Sequence, residues 1–263
     1  VRKENVYRFV IGQRRSAVHS EPTMMIKHPA SDISVPHDFW KHVRIHSDIQ
    51  SRCMNSNTYP AASELHVERI PQGISGTTGY ILASQGEGVI IDPGSRFKKI
   101  WAAVERAGVR IKYIIITQGH SDHMIALEEL KEATGAQVAM HEFDKWVVSK
   151  QIYRDSFLMQ YRQPYGHVDI GLQDGNKLNF GGQTLEIIHT ADQTQGCICV
   201  KCNEMLFSGK LMMQPIEQPF EPEVELGSSK MEAYRKVISQ MSNNFVVYPG
   251  HGKPLFVEFT GRN

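Results

Sequence analysis

The chain has 263 residues, 41% of them hydrophobic, and a net charge of +1. That is enough for one large domain, or for one domain plus an extension, and the global charge demands neither a nucleic acid nor a membrane as partner. No apolar run approaches the roughly 18–20 residues of a spanning helix, and three of the four cysteines (Cys197, Cys199 and Cys202) crowd within six residues, too close for a disulfide framework and in keeping with a reducing compartment.

Charge divides unevenly along the chain. Residues 1–60 hold nine Lys/Arg against five Asp/Glu, a net of +4, whereas residues 61–263 hold 20 against 23, a net of −3. The first segment also carries five of the twelve histidines and few apolar runs. It reads as an irregular N-terminal extension, 1–60, on the outside of a domain spanning 61–263. One helix is expected in it, with Pro36 in the first turn and Phe39, Trp40, Val43 and Ile49 as its buried stripe. The opening "VRKENVYRFVIGQRRSAVHS" is rich in Arg and lacks an initiator Met. It has the character of an organellar targeting remnant, or of a trimmed terminus.

From residue 64 the pattern changes. "LHVERI" predicts a strand and Pro71-Gln-Gly a turn; "TTGYILAS" and "GVIIDPG" predict two more strands, the second ended by Pro93-Gly94. "RFKKIWAAVERAG" has helical spacing at Phe97, Ile100, Trp101 and Val104, with Gly108 as its stop. "IKYIIIT" is a short β-branched run of the kind buried on both faces of a sheet. A helix at "MIALEELKEATG" and a strand at "AQVAMH" follow. The second half predicts hairpins at "KLNFGGQTLEIIHT" and "CICVKCNEMLFSG". A helix at "SKMEAYRKVISQM" shows one face at Met231, Tyr234, Val237 and Met241, and "FVVYPGHG" forms a last strand and turn. Two halves that mix strands and helices in this way predict an α/β fold, a four-layer αββα sandwich with sheets inside and helices outside.

Five landmarks stand in order: "IIDPG" at 90–94, "TQGHSDH" at 117–123, "IIHTADQTQG" at 187–196, "LFSGK" at 206–210 and "VVYPGHG" at 246–252. Together they make residues 64–263 resemble the metallo-β-lactamase superfamily, and most closely its thioester-hydrolase branch of the glyoxalase II type. In active members of that family the first loop reads His-x-His-x-Asp-His. The middle loop gives a further His, "FTGD" an Asp that bridges two metals, and "PGHG" the last His. Such a set of neutral imidazoles and few carboxylates suits two zinc or iron ions that share a hydroxide near neutral pH.

This sequence departs from that pattern at three positions. Gln118 stands at the first His, Gln193 at the middle His and Lys210 at the bridging Asp, whereas His120, Asp122, His123 and His251 match. Ala191 and Asp192 stand where the middle loop has Pro and Gly. A carboxamide is a poor ligand beside imidazole, so the first metal site is expected to be lost. Asp122, His123 and His251 would still form a two-His, one-carboxylate set for one zinc or iron. Lys210 opposes it: a dication about 4 Å from an ammonium is repelled by roughly 8 kcal/mol at an effective dielectric of about 20, against the roughly 10–16 kcal/mol of good structural zinc sites. The alternative is that the Lys210 ammonium replaces the metal and pairs with Asp122, with the Gln118 and Gln193 amides completing a polar network. Lys210→Ala is then expected to cost a few kcal/mol, as stranding a buried charge does.

Other signals carry plainer readings. Cys197 and Cys199 would face one way on a strand and Cys202 the other, as buried thiols rather than a ligand cluster. His141 and His189 read as framework groups at strand ends, and Asp92 as a structural turn residue. No glycine-rich phosphate loop and no GxSxG elbow is present. The leading expectation is a catalytically degenerate member, without cofactor, kept as a structural or binding subunit of a larger assembly. Its partners would be proteins, with no membrane. A mitochondrial ribonucleoprotein fits the extension, with a cytoplasmic location as the alternative. The basic 1–60 segment either touches RNA or an acidic partner, or lies on its own acidic core. The competing expectations are a mononuclear hydrolase of thioesters or related esters using Asp122, His123 and His251, and a binder of small molecules or anions using Lys210.

Overall fold

The β-branched runs pair into two sheets in the computed structural model, which describes residues 43–46, 65–70, 76–145, 168–212 and 229–260. One sheet has six strands in chain order: β2 (His66–Ile70), β3 (Gly79–Ser84), β4 (Glu87–Ile91), β5 (Arg110–Ile116), β6 (Gln137–His141) and β7 (Ile170–Leu172). β2, β3 and β4 pair antiparallel; β4 through β7 pair parallel. The other sheet has seven strands in the order β1 (Val43–His46), β13 (Leu255–Phe259), β12 (Phe245–Pro249), β11 (Met205–Gly209), β10 (Ile198–Cys202), β9 (Gln183–His189) and β8 (Lys177–Phe180).

Alternation along each strand sends side chains into different layers. In β5, Ile114 and Ile116 join the cluster under the helices α1 (Phe97–Ala107) and α2 (Leu127–Thr134), while Tyr113 and Ile115 face the other sheet. In β10, Ile198, Val200 and Cys202 face the first sheet, while Cys199 lies with Val237 and Ile238 of the helix α3 (Ser229–Ser239). The layers therefore run helix, sheet, sheet, helix. The sheets are also tied by polar bonds, from the Tyr80 hydroxyl to Pro249 O at 2.7 Å and from Ser84 Oγ to Gly181 O at 2.7 Å.

Several elements follow the sequence closely. α1 stops at Gly108, which takes a left-handed φ of 61° and returns its N–H to Val104 O and Glu105 O. Other elements correct it. α2 begins at Leu127, not Met124, because Ser121–His123 form a 3-10 turn and the Ala126 N–H goes to Pro93 O. β7 and β13 were not expected; β7 has three residues and β13 follows a turn that looked terminal. Val43 belongs to a strand rather than a helix. Val43–His46 pairs antiparallel with β13, covering that edge, and Val43 and Ile45 pack toward α3 beside Phe259. Pro36, Phe39, Trp40 and Ile49, the Pro71-Gln-Gly turn and Cys53 lie outside the described residues, as does the rest of 1–60.

Phe207 anchors the space between the sheets. It is 1% exposed, stacked on Tyr248 with ring centroids 5.1 Å apart and edge-on to Tyr80 at 5.4 Å. Phe207→Ala is expected to lower unfolding stability by about 3–5 kcal/mol, read from urea denaturation. A loss below about 1 kcal/mol would place the main core elsewhere.

Candidate functional site

The candidate residues sit where β4, β5, β11 and β12 end, on loops that the two sheets hold against each other. Asp92 closes β4 with a left-handed φ of 50° and is buried. Its Oδ1 accepts the Thr117 N–H at 2.8 Å and its Oδ2 the Thr117 hydroxyl at 2.7 Å. Thr117 O in turn accepts the Ile198 N–H of the other sheet at 2.9 Å. Gly250 N donates to Gly209 O at 2.7 Å, and Thr78 N to Gly250 O at 2.6 Å, which brings the Lys210 and His251 ends together. Glycine is required at 94, where a Cβ would stand 2.2 Å from Asp122 O. Asp92 is thus a framework group, as expected.

Asp122 Oδ2 is the centre of the cluster. It accepts the Thr77 hydroxyl at 2.8 Å and lies 3.3 Å from Lys210 Nζ. The Nε2 atoms of His123 and His251 are each 3.8 Å from it. Burial alone would raise the Asp122 carboxyl, but His123, the Thr77 hydroxyl and Lys210 outweigh it and hold the group below the usual carboxylate range. His123 is fully buried; its Nε2 is 2.7 Å from Gln118 Nε2, and its Nδ1 is 2.9 Å from Asp92 Oδ2 without the alignment of a hydrogen bond. The Gln118 carbonyl faces the Cys197 thiol at 3.7 Å, so the amide nitrogen is the end turned to His123. His120 and His251 are pushed toward the neutral form, His120 by burial and then Lys210, His251 by burial, then His123 and Lys210. Their Nδ1 atoms have no hydrogen-bond partner among the described residues.

The structure therefore brings Gln118, Asp122, His123, Lys210 and His251 into one contact network, with His120 alongside. Gln193 does not join it: it is exposed, on a loop whose Ala191 has a φ of 49° in place of the expected Pro-Gly geometry. Thr77 was missed by sequence reasoning because a lone Thr before a strand carries no signal of its own. Cys197 is buried against Thr194 and Gln118, and burial lifts its thiol to about 11. His141 and His189 stack at 4.0 Å, with His189 Nε2 2.8 Å from Gln195 O, as framework groups. Among the described residues no group of three or more His, Cys, Asp or Glu side chains is disposed to hold a metal ion.

The profile described as "Metallo-beta-lactamase superfamily" matches residues 73–251. An uncharacterized protein of Mycobacterium leprae, ML0493, is 24% identical over 201 residues, covering 69% of this chain and 89% of the relative. Hydroxyacylglutathione hydrolase GloC of Haemophilus influenzae is also 24% identical over 201 residues, covering 72% and 91%. The crystal structure of the BLEG-1 B3 metallo-beta-lactamase superposes with a TM-score of 0.60 at 22% identity, covering 73% of this chain and 94% of that one.

The Lys210 and Asp122 side chains are 19% and 21% exposed, which lies between a surface pair and a buried one. Lys210→Ala is accordingly expected to cost about 1–2 kcal/mol, less than the sequence alone suggested, and Lys210→Asp more than that, because it sets a second carboxylate beside the first. Chemical denaturation at neutral pH checks both. His141 gives a pH test. Burial, then the neighbouring His189, hold it at about 4, below its ordinary 6.5. The unfolded chain takes up a proton first, so stability is full above about 6.5 and falls as pH drops toward about 4. Asp122, His120 and His251 act in the same direction, so the difference between wild type and His141→Asn is the quantity to follow. That difference is expected to change across the window, and a constant difference would remove His141 as its source.

Proposed function

This chain belongs to the metallo-beta-lactamase superfamily, and on that premise we propose that it is a catalytically degenerate member that serves as a structural or binding subunit of a larger assembly. The observation that carries this is the Lys210 ammonium 3.3 Å from Asp122 Oδ2. Together with the Gln118 amide against His123 Nε2, it engages two of the atoms a cation would use, Asp122 Oδ2 and His123 Nε2.

The donor set does not fit a metal ion. Imidazole binds a metal through an unshared nitrogen lone pair. On His123 that lone pair meets the Gln118 amide at 2.7 Å, while Nδ1 faces Asp92. Asp122 already serves a hydroxyl and an ammonium. Admitting a dication means turning Gln118 away and bringing a double charge beside Lys210, a repulsion of roughly 8 kcal/mol at 4 Å and an effective dielectric of about 20. The ammonium and the Thr77 hydroxyl neutralise the carboxylate at lower cost.

A relative named as a hydroxyacylglutathione hydrolase defines the activity class to test. Asp122, His123 and His251 do stand together, and this favours the second reading, a hydrolase with one zinc or iron, should Lys210 and Gln118 swing out. Elemental analysis of protein purified without chelator separates the two. The expected result is zinc and iron far below one per chain and no turnover of a hydroxyacylglutathione thioester. A near-stoichiometric metal with turnover would establish the hydrolase instead.

The assembly half of the proposal rests on charge. A segment with a net of +4 precedes a core with a net of −3, and such a segment suits an RNA or an acidic protein surface. A mitochondrial ribonucleoprotein is the proposed setting. In extracts of the source cells the protein is expected to sediment with a large particle and to leave it at high salt. Sedimentation as a free monomer at every ionic strength would overturn that half.

A further inference from the structure

Just after β6, residues 142–145 begin a helical turn that carries the Asp144 side chain beneath two loops at once. Asp144 is 0% exposed. Its Oδ2 accepts the Gly119 N–H at 2.6 Å and the Thr194 hydroxyl at 2.6 Å; its Oδ1 accepts the Gly196 N–H at 2.9 Å. Gly119 belongs to the 117–123 loop of the first sheet, Thr194 and Gly196 to the 190–197 loop of the second. A buried carboxylate is costly unless its oxygens are fully engaged, and hydrogen bonds to an ionised acceptor are the strong kind. Its partners here are two backbone amides and a hydroxyl, so the interaction is spent on holding backbone. Both glycines answer to it: a Cβ on residue 196 would lie 2.5 Å from Asp144 Cγ, and one on residue 119 would lie 3.2 Å from Asp144 Cβ.

We infer that Asp144 is a clamp that fastens the 117–123 loop to the 190–197 loop. These loops carry the two positions at which the family's imidazoles have become Gln118 and Gln193. The clamp is a crosslink between them that needs no metal. In that last respect it builds on the metal-free reading of the site; the clamp itself does not depend on it. The clamp also covers Cys197. The Thr194 N–H and hydroxyl both meet the Cys197 sulfur at 3.1 Å, and the thiol is 4% exposed. Freeing the loop should uncover Cys197 and leave Cys199 and Cys202, which lie within β10, protected.

The test compares full-length wild type, Asp144→Asn and Thr194→Val by amide hydrogen exchange resolved to single residues and by peptide-resolved alkylation of cysteines. Asp144→Asn is expected to speed exchange at Gly119 and Gly196 by about ten- to a hundredfold, the scale of a lost hydrogen bond to a charged group. Cys197 should alkylate faster, with Cys199 and Cys202 unchanged. Thr194→Val should act in the same places by about tenfold or less. Unchanged exchange in folded Asp144→Asn, or equal acceleration at all three thiols, would overturn the clamp. If Asp144→Asn does not fold, Thr194→Val decides: local acceleration at Gly119, Gly196 and Cys197 supports the clamp, and none overturns it. All samples are run with and without EDTA. Loss of protection in wild type on chelation alone would overturn the metal-free reading, whereas the variants compared in EDTA judge Asp144 by itself.

Discussion

Everything at the open end of this molecule hangs from the buried carboxylate of Asp92. It closes β4 in a backbone conformation that side chains rarely adopt, and both its oxygens are committed to Thr117. That fixes where the chain leaves β5. Because Thr117 O also accepts from Ile198 of the other sheet, the same joint registers one sheet against the other. The loop after it can only run over Pro93, whose carbonyl takes the Ala126 N–H, and under Gly94, where no side chain fits against Asp122. The position of the Asp122 carboxylate is thus a consequence of backbone geometry, whatever later neutralises its charge.

Neutralisation is the chemical question the site answers. A carboxylate that is largely buried needs a counter-charge or donors. The Asp122 oxygen has a hydroxyl, an ammonium and two imidazoles around it. The ammonium brings one positive charge where a metal would bring two, and it is tethered to β11. Burial together with this covalently attached cation pushes His120 and His251 toward the neutral form. The result is a polar cluster with its own cation, at the mouth of a scaffold shared with metallo-hydrolases.

The fold was legible because its signals are local. Alternating apolar residues, the Gly108 stop and the five ordered landmarks each occupy a few consecutive positions, and all reappear in place. The edges were not. Val43–His46 looked helical because Trp40, Val43 and their neighbours have helical spacing, but an unpaired β13 edge offers backbone hydrogen bonds that no local preference can anticipate. The same is true of β7, three residues long, which exists only because β6 is beside it.

Within the site the division is similar. The residue types at 118, 122, 123, 210 and 251 already implied a metal pattern in which an ammonium stands against a carboxylate, because charge and ligand chemistry are properties of side chains. Which side chains actually meet was decided by the loops. Gln193 matches a ligand position in the alignment of motifs, yet the loop carrying Ala191 at positive φ turns it to solvent. Asp144 bears no motif at all. Its partners lie 25, 50 and 52 positions away and two of them are backbone amides, which every residue but proline possesses. Sequence determined the chemistry available at the open end of the sheets, since that depends on composition and order. Tertiary structure decided which of those groups touch, since contact depends on backbone hydrogen bonds between segments that the sequence does not mark.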